Sequence, residues 1–167
     1  QAQLTVVEGS ITDIAALTHT FNGADAVISC LGVRPSLKAF FKPSTLQQEA
    51  LPAIIQAINT ANVARFVLMS SFGSGETRHK GAWFIRTFLY SLIAKKMFDD
   101  KALAEQSLNT CQANWTAVYP VKLQKTSALA DTDLVELEQV TIVPGIPQLP
   151  FINVARCLVD LAGNTEY

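Results

Sequence analysis

Arg65-Phe66-Val67-Leu68-Met69-Ser70-Ser71 sets four consecutive apolar residues behind an arginine and stops abruptly on two serines. A short run that is apolar at successive positions, not alternate ones, suits a strand buried on both faces, as in parallel sheets. Two further runs are built the same way. Ala26-Val27-Ile28-Ser29 leads into Cys30-Leu31-Gly32, and Thr116-Ala117-Val118 leads into Tyr119-Pro120. Segments with helical spacing separate the three, so they read as neighbouring parallel strands joined by crossover helices. Ligands of open parallel sheets sit outside the carboxyl ends of the strands. Those three stops are therefore the first place to look for function.

On the N-terminal side, Leu4-Thr5-Val6-Val7 reads as another strand, ended by Gly9-Ser10. Asp13 is placed to cap a helix with Ile14, Leu17 and Phe21 on one face and Asn22-Gly23 at its close. After a loop from Gly32 to Pro43, a second helix carries Leu46, Ala50, Ile54, Ala57, Ile58 and Ala61 on its apolar face. Ser44 and Gln47 have capping-box spacing at its start, and Pro52 either kinks it or marks its real beginning. A long helical region follows the Arg65–Ser71 strand to about Leu108, and the Trp115–Tyr119 strand comes after it. Val140–Val143 suits a short strand. Pro147 and Pro150 precede a last helix, with Phe151, Val154, Ala155, Leu158 and Leu161 inward, that ends at Gly163-Asn164. The expected fold is a single α/β domain over residues 1–167, a Rossmann-like doubly wound parallel sheet missing its first β-α-β unit. No Gly-rich strand–turn–helix opens the chain, so the domain reads as N-terminally incomplete.

Composition narrows the function classes. Apolar residues make up 49% and charged ones 16%, which argues against disorder, and a net charge of -1 gives no attraction to nucleic acid or anionic lipid. Cys30, Cys111 and Cys157 are odd in number without CxxC spacing, and His19 and His79 stand far apart. Reduced thiols in a cytoplasmic protein fit better than disulfides or a metal site. The chain shows no signal peptide and no stretch suited to spanning a bilayer.

Several blocks together carry a family resemblance. They are Val7-Glu8-Gly9-Ser10-Ile11-Thr12-Asp13, Gly23-Ala24-Asp25-Ala26-Val27-Ile28-Ser29-Cys30-Leu31-Gly32 and Ala61-Asn62-Val63-Ala64-Arg65-Phe66-Val67-Leu68-Met69-Ser70-Ser71. Lys101-Ala102-Leu103-Ala104-Glu105 and Asn114-Trp115-Thr116-Ala117-Val118-Tyr119-Pro120 continue the series. In this order the chain resembles an atypical short-chain dehydrogenase/reductase. It is similar to the NAD(P)H-binding proteins grouped with biliverdin reductase B, flavin reductase and NmrA-like proteins. The match runs from about residue 5 to 123, and the family's N-terminal glycine motif is not in it.

The resemblance implies cofactor contacts at Gly9, Ser10, Cys30, Leu31, Gly32, Ser70, Tyr119, Pro120 and Val121, and catalytic roles for Ser71 and Lys101. Ser10 stands where the family usually has an aspartate against the adenine, so it is either a neutral hydrogen-bonding substitute or a turn residue. Gly32 is either a close-approach point for the cofactor or a turn glycine. Ser71 aligns with the family's active-site serine, and its competing reading is a strand-end turn. Lys101 either holds the ribose hydroxyls or is a solvated surface lysine. Tyrosine and lysine stand four apart in familiar members, and here Met97-x-x-x-Lys101 puts a thioether in the tyrosine's place. A thioether transfers no proton, and Tyr90 lies five residues before Lys95, so it does not restore the spacing. Tyrosine-assisted alcohol oxidation is therefore not expected. Gly73-Ser74-Gly75 fits neither GxSxG nor GxGxxG and reads as a flexible loop beside the site.

The function implied is NAD(P)H-dependent reduction of a flavin, quinone or similar flat acceptor by direct hydride transfer, with NADP favoured slightly over NAD. The alternative is a non-catalytic NAD(P)-sensing or protein-interaction module of the NmrA-like kind. A third reading is a truncated product without a cofactor site. The expected partner is a small-molecule acceptor, with neither nucleic acid nor a membrane span. Homo-oligomerisation is expected through the apolar 82–98 helix or an exposed sheet edge, and that helix also reads as a substrate lid or a deeply buried core helix. Without a glycine turn to seat the pyrophosphate, the chain as given should bind NAD(P)H weakly.

Overall fold

Phe66 and Leu68 point to one face of their strand and Val67 and Met69 to the other, and each pair meets its own helices. The computed structural model describes residues 4–32, 45–82, 95–126, 134–145 and 147–164. Its helices are α1 (Ile14–Phe21), α2 (Leu46–Ala61), α3 (Lys95–Glu105) and α4 (Phe151–Gly163). Its strands are β1 (Ala26–Ser29), β2 (Arg65–Met69), β3 (Asn114–Val118), β4 (Lys122–Gln124) and β5 (Gln148–Pro150). Short 3-10 segments cover Gly75–His79, Gln106–Thr110 and Leu137–Gln139.

β1, β2 and β3 form a parallel sheet in that order, with Val27 opposite Phe66 and Phe66 opposite Trp115. The central strand is buried from Arg65 to Leu68, which its unbroken apolar run requires. On one face, Val27, Phe66 and Leu68 pack with Leu51, Ile54, Ile55 and Ile58 of α2 and with Ala104 of α3. On the other, Val67 meets Val154, Leu158 and Leu161 of α4. Helices on both faces of a parallel sheet make this the expected Rossmann-like α/β fold. Arg65, only 2% exposed, crosses between elements. Its Nε donates to Leu161 O (2.9 Å), Nη1 to Asn114 O (3.1 Å) and Nη2 to Thr116 Oγ1 (2.8 Å).

The two helices preceding β2 start differently. Asp13 caps α1 by accepting from Ala16 N at 3.0 Å, and Gly23, at φ 78, carries the chain away in the left-handed region. For α2, Ser44 lies outside the described residues, and Thr45 spends its hydroxyl on Glu49 Oε1 at 2.6 Å. The acceptor for the free N–H groups comes instead from α3. Asp100, 3% exposed, accepts from Gln47 N (3.2 Å), Gln48 N (3.3 Å) and Gln48 Nε2 (3.0 Å). Pro52 sits inside a continuous α2 and so marks no beginning.

Several expectations are corrected. Leu4–Val7 is not a strand: Leu4, Val6 and Val7 are 87%, 76% and 61% exposed, and no described residue pairs with them. Apolar alternation cannot hold an extended segment without a neighbour to complete its ladder. Val140–Val143 is not a strand either. Lys80 draws this stretch in by donating from Nζ to Leu137 O (2.9 Å) and Val140 O (2.7 Å), and Val143 makes a lone bridge to Gly81. The strand of this region is β5, paired in parallel with β4. In α4, Phe151 and Ala155 face outward, because Val154, Leu158 and Leu161 already fill the stripe toward the sheet. The long helical region ends as an α-helix at Glu105 and tightens into a 3-10 turn through Leu108. Most of the apolar 82–98 segment lies outside the described residues.

Candidate functional site

β2 and β3 stay paired beyond their last strand residues. Ser70 N donates to Val118 O at 2.8 Å and Phe72 N to Pro120 O at 2.9 Å, so Ser71 and Tyr119 run side by side at the carboxyl edge. The Gly73-Ser74-Gly75 stretch is not loose. Ser74 is fully buried, Gly73 N donates to Thr77 Oγ1 at 2.7 Å, and Thr77 Oγ1 donates to Ser74 O at 2.7 Å. Gly75 has φ 47, in the left-handed region that favours glycine, and a Cβ there would meet the Glu105 carboxylate.

α3 presents its side chains to this edge at i, i+4 spacing. Lys101 Nζ donates to Ser71 Oγ at 2.6 Å. Glu105 Oε1 accepts from Ser70 Oγ at 2.5 Å and Oε2 accepts from Tyr119 OH at 3.1 Å, while Ser74 Oγ donates to Ser71 O at 2.8 Å and lies 3.2 Å from Oε1. Ser70 and Ser74 also pair with each other at 2.8 Å. On the exposed side, Arg78 and Asp99 form an ion pair at 3.0 Å. A small cavity of about 10 Å³, enough for one water, lies between Gln47, Ser70, Lys101 and Glu105. Gln47 links this region to β1 by donating from Nε2 to Leu31 O at 2.6 Å.

The electrostatics follow from burial. Desolvation pulls the Lys101 ammonium below the usual lysine range, and the charges of Glu105 and Asp100 push back. Tyr119 moves the other way. Burial, then the charge of Glu105 and its hydrogen bond, then Glu76, hold the phenol well above the ordinary tyrosine range. Tyr119 is thus a committed hydrogen-bond donor and not a base, and Lys101 is a cation that gives up its proton more readily than most.

The structure therefore brings Ser70, Ser71, Lys101, Tyr119 and Pro120 to one place. Lys101 is not a solvated surface lysine, since its amine is partly buried and bonded. Val121 follows this group, partly buried. Cys30 and Gly32 are exposed at the end of β1, and nothing lies within 4 Å of a Cβ built on Gly32. Gly9 and Ser10 are exposed and stand apart from the cluster. Ser10 Oγ accepts from Thr12 N at 3.3 Å and lies 2.9 Å from Thr12 Oγ1, the bonds of a local turn. Met97 is on α3 one turn before Lys101. Glu105, Ser74, Gln47 and Asp100 were not among the expected site residues. For Glu105 the available signal was its position one turn after Lys101.

Hydroxyls and an ammonium gathered at the carboxyl edge suit the ribose and amide end of a nicotinamide dinucleotide. A pyrophosphate finds no such welcome at the nearest helix start, because the Asp100 carboxylate already occupies the N–H groups of Gln47 and Gln48 at the head of α2.

No curated protein matches the chain. Among solved structures, the anaerobillin reductase ChuY from Escherichia coli O157:H7 superposes with a TM-score of 0.70 at 19% identity, over 92% of this chain and 66% of its own. A short-chain dehydrogenase/reductase from Veillonella parvula DSM 2008, in complex with NADP, reaches 0.74 at 15% identity, over 97% and 66%. A Rossmann-fold NAD(P)-binding family protein from Shigella flexneri reaches 0.56 at 18% identity, over 96% and 64%. The chain thus spans just under two thirds of each of these structures, and at such identities the likeness is one of fold. A profile of the NAD(P)H-binding family matches residues 1–165. With the sheet, its helices and nearly the whole sequence in agreement, the chain belongs to the NAD(P)H-binding family.

Proposed function

We propose that this protein contributes the catalytic edge of an NAD(P)H-dependent reductase whose acceptor is a flavin, a quinone or a similar flat molecule. The observation that carries the reading is the 2.6 Å hydrogen bond from Lys101 Nζ to Ser71 Oγ at the carboxyl end of the central strand. When bound, a reduced nicotinamide supplies hydride. Ser71 holds the polar atom of the acceptor, and Lys101, made a better acid by burial and bonded to Ser71, stands beside it as the proton donor. This arrangement needs no tyrosine at the position of Met97. Lys101 and Tyr119-Pro120-Val121 would hold the ribose and amide, with Leu31 and Gly32 on the β1 side. The NADP complex of the Veillonella structure supports NADP as the cofactor, and ChuY, an anaerobillin reductase, supports the reductase reading.

The second reading is a dinucleotide sensor without chemistry. It is favoured by Met97, which stands on α3 where familiar members carry the acid/base tyrosine. An NADPH-oxidation assay over flavins, quinones and tetrapyrroles separates the two. Reduction that falls about 100-fold in Lys101→Met supports the reductase, since a placed proton donor is typically worth about 10²–10⁴-fold. Saturable NADPH binding with no acceptor reduced would establish the sensor instead.

A further inference from the structure

We infer that Glu105 is a positioning residue of this site: its carboxylate fixes the carboxyl ends of β2 and β3 together and keeps an anionic charge one turn from Lys101, so that Ser71 and its lysine stay aligned. The inference deepens the reductase reading and rests on it for its effect on turnover, but its geometry stands on its own.

Glu105 is a small hub. One oxygen takes the hydroxyl of Ser70, immediately before Ser71, and also meets Ser74 in the following turn; the other takes the phenol of Tyr119 at the end of β3. Its two firm donors come from the ends of neighbouring strands, so the carboxylate adds a side-chain tie to the backbone pairing that joins them. Gly75, whose φ of 47 favours glycine, lies directly against the same carboxylate. Ser70 and Ser74 are both buried, so their hydroxyls rely on protein acceptors and not on solvent.

The charge has a second consequence. Lys101 is flanked on its own helix by Glu105 and Asp100, and it meets the neutral Ser71 just past β2 and the neutral Gln47 of α2 at the small cavity. In the neighbouring 3-10 segment, Glu76 acts on Tyr119, and Arg78 is taken by Asp99. Asp100 is itself engaged with the N–H groups of α2, which leaves Glu105 as the acidic side chain of this face that also touches the strand ends. Without its charge, burial acts on Lys101 less opposed, and the ammonium should lose its proton at a lower pH.

Glu105→Gln in the full chain, with Glu105→Asp as the conservative partner, tests this by two routes. NMR titration of ¹³Cε-labelled lysine, with Lys101→Arg identifying the signal, should show Lys101 losing its proton about 1 pH unit lower in Glu105→Gln. Glu105→Asp should largely restore it. In the acceptor-reduction assay, the alkaline limb governed by Lys101 should move by the same amount. There kcat should fall about tenfold with the acceptor KM little changed, and circular dichroism should report an intact fold. An unmoved Lys101 titration in folded Glu105→Gln overturns the inference, whatever the assay shows. A moved titration in a protein that reduces no acceptor, wild type included, overturns the reductase reading and upholds the place of Glu105.

Discussion

α1 and α2 are neighbouring helices of one layer, yet they are started by opposite means. α1 is capped by Asp13, the residue immediately before it, within three positions of the N–H it satisfies. α2 is capped by Asp100, which reaches its N–H groups from 52 and 53 residues further along the chain. The first arrangement is complete as soon as the local sequence coils. The second exists only once α3 has docked, so the start of α2 and the placement of Lys101 and Glu105 on the same helix are settled in one event. α3 is thus both a structural brace and the carrier of the site.

The comparison predicts its own largest effect. Asp100→Ala should cost about 2–3 kcal/mol in urea unfolding, because it removes a buried ionised acceptor and strands the donors of Gln47 and Gln48. A loss near that of an ordinary exposed cap would mean that water replaces the carboxylate and that α3 is no brace. Next in size, Ser71→Ala should leave stability nearly unchanged and lower acceptor turnover by roughly threefold to tenfold, the worth of a hydrogen bond of about 0.5–1.5 kcal/mol. Unchanged turnover in a protein that reduces acceptors would reduce Ser71 to a turn residue. The smallest effect belongs to Asp13→Ala, at about 0.5–1 kcal/mol, since its partner N–H is exposed and solvent can take over. If Asp13→Ala equalled Asp100→Ala, the contrast between near and distant capping would collapse.

The same contrast explains what could be read in the sequence. The β2 run, the α1 cap and the apolar stripe of α2 are local patterns, and each appears where its pattern put it, to within a residue or two. Ser70, Ser71 and Tyr119 were legible because strand ends in a parallel sheet converge by topology. Glu105 and Asp100 were not, since a carboxylate on a helix carries no mark of the distant partner it will meet. Leu4–Val7 failed for the opposite reason. Its pattern is good, but a strand is a relation between two segments, and the described residues supply only one. Phe151 and Ala155 failed because helical spacing defines a stripe without fixing its width.

Arg65 adds a consequence for motion. A helix packed on one face of a sheet can open before the rest of a domain. In α4, however, the carbonyl of Leu161 is held by a guanidinium that remains charged across the working range of a protein and is buried beneath the helix. Lifting α4 would strip that cation of an acceptor and wet Val154, Leu158 and Leu161 in the same movement. Partial detachment is therefore an expensive intermediate, and α4 belongs to the cooperative unit that opens with the sheet.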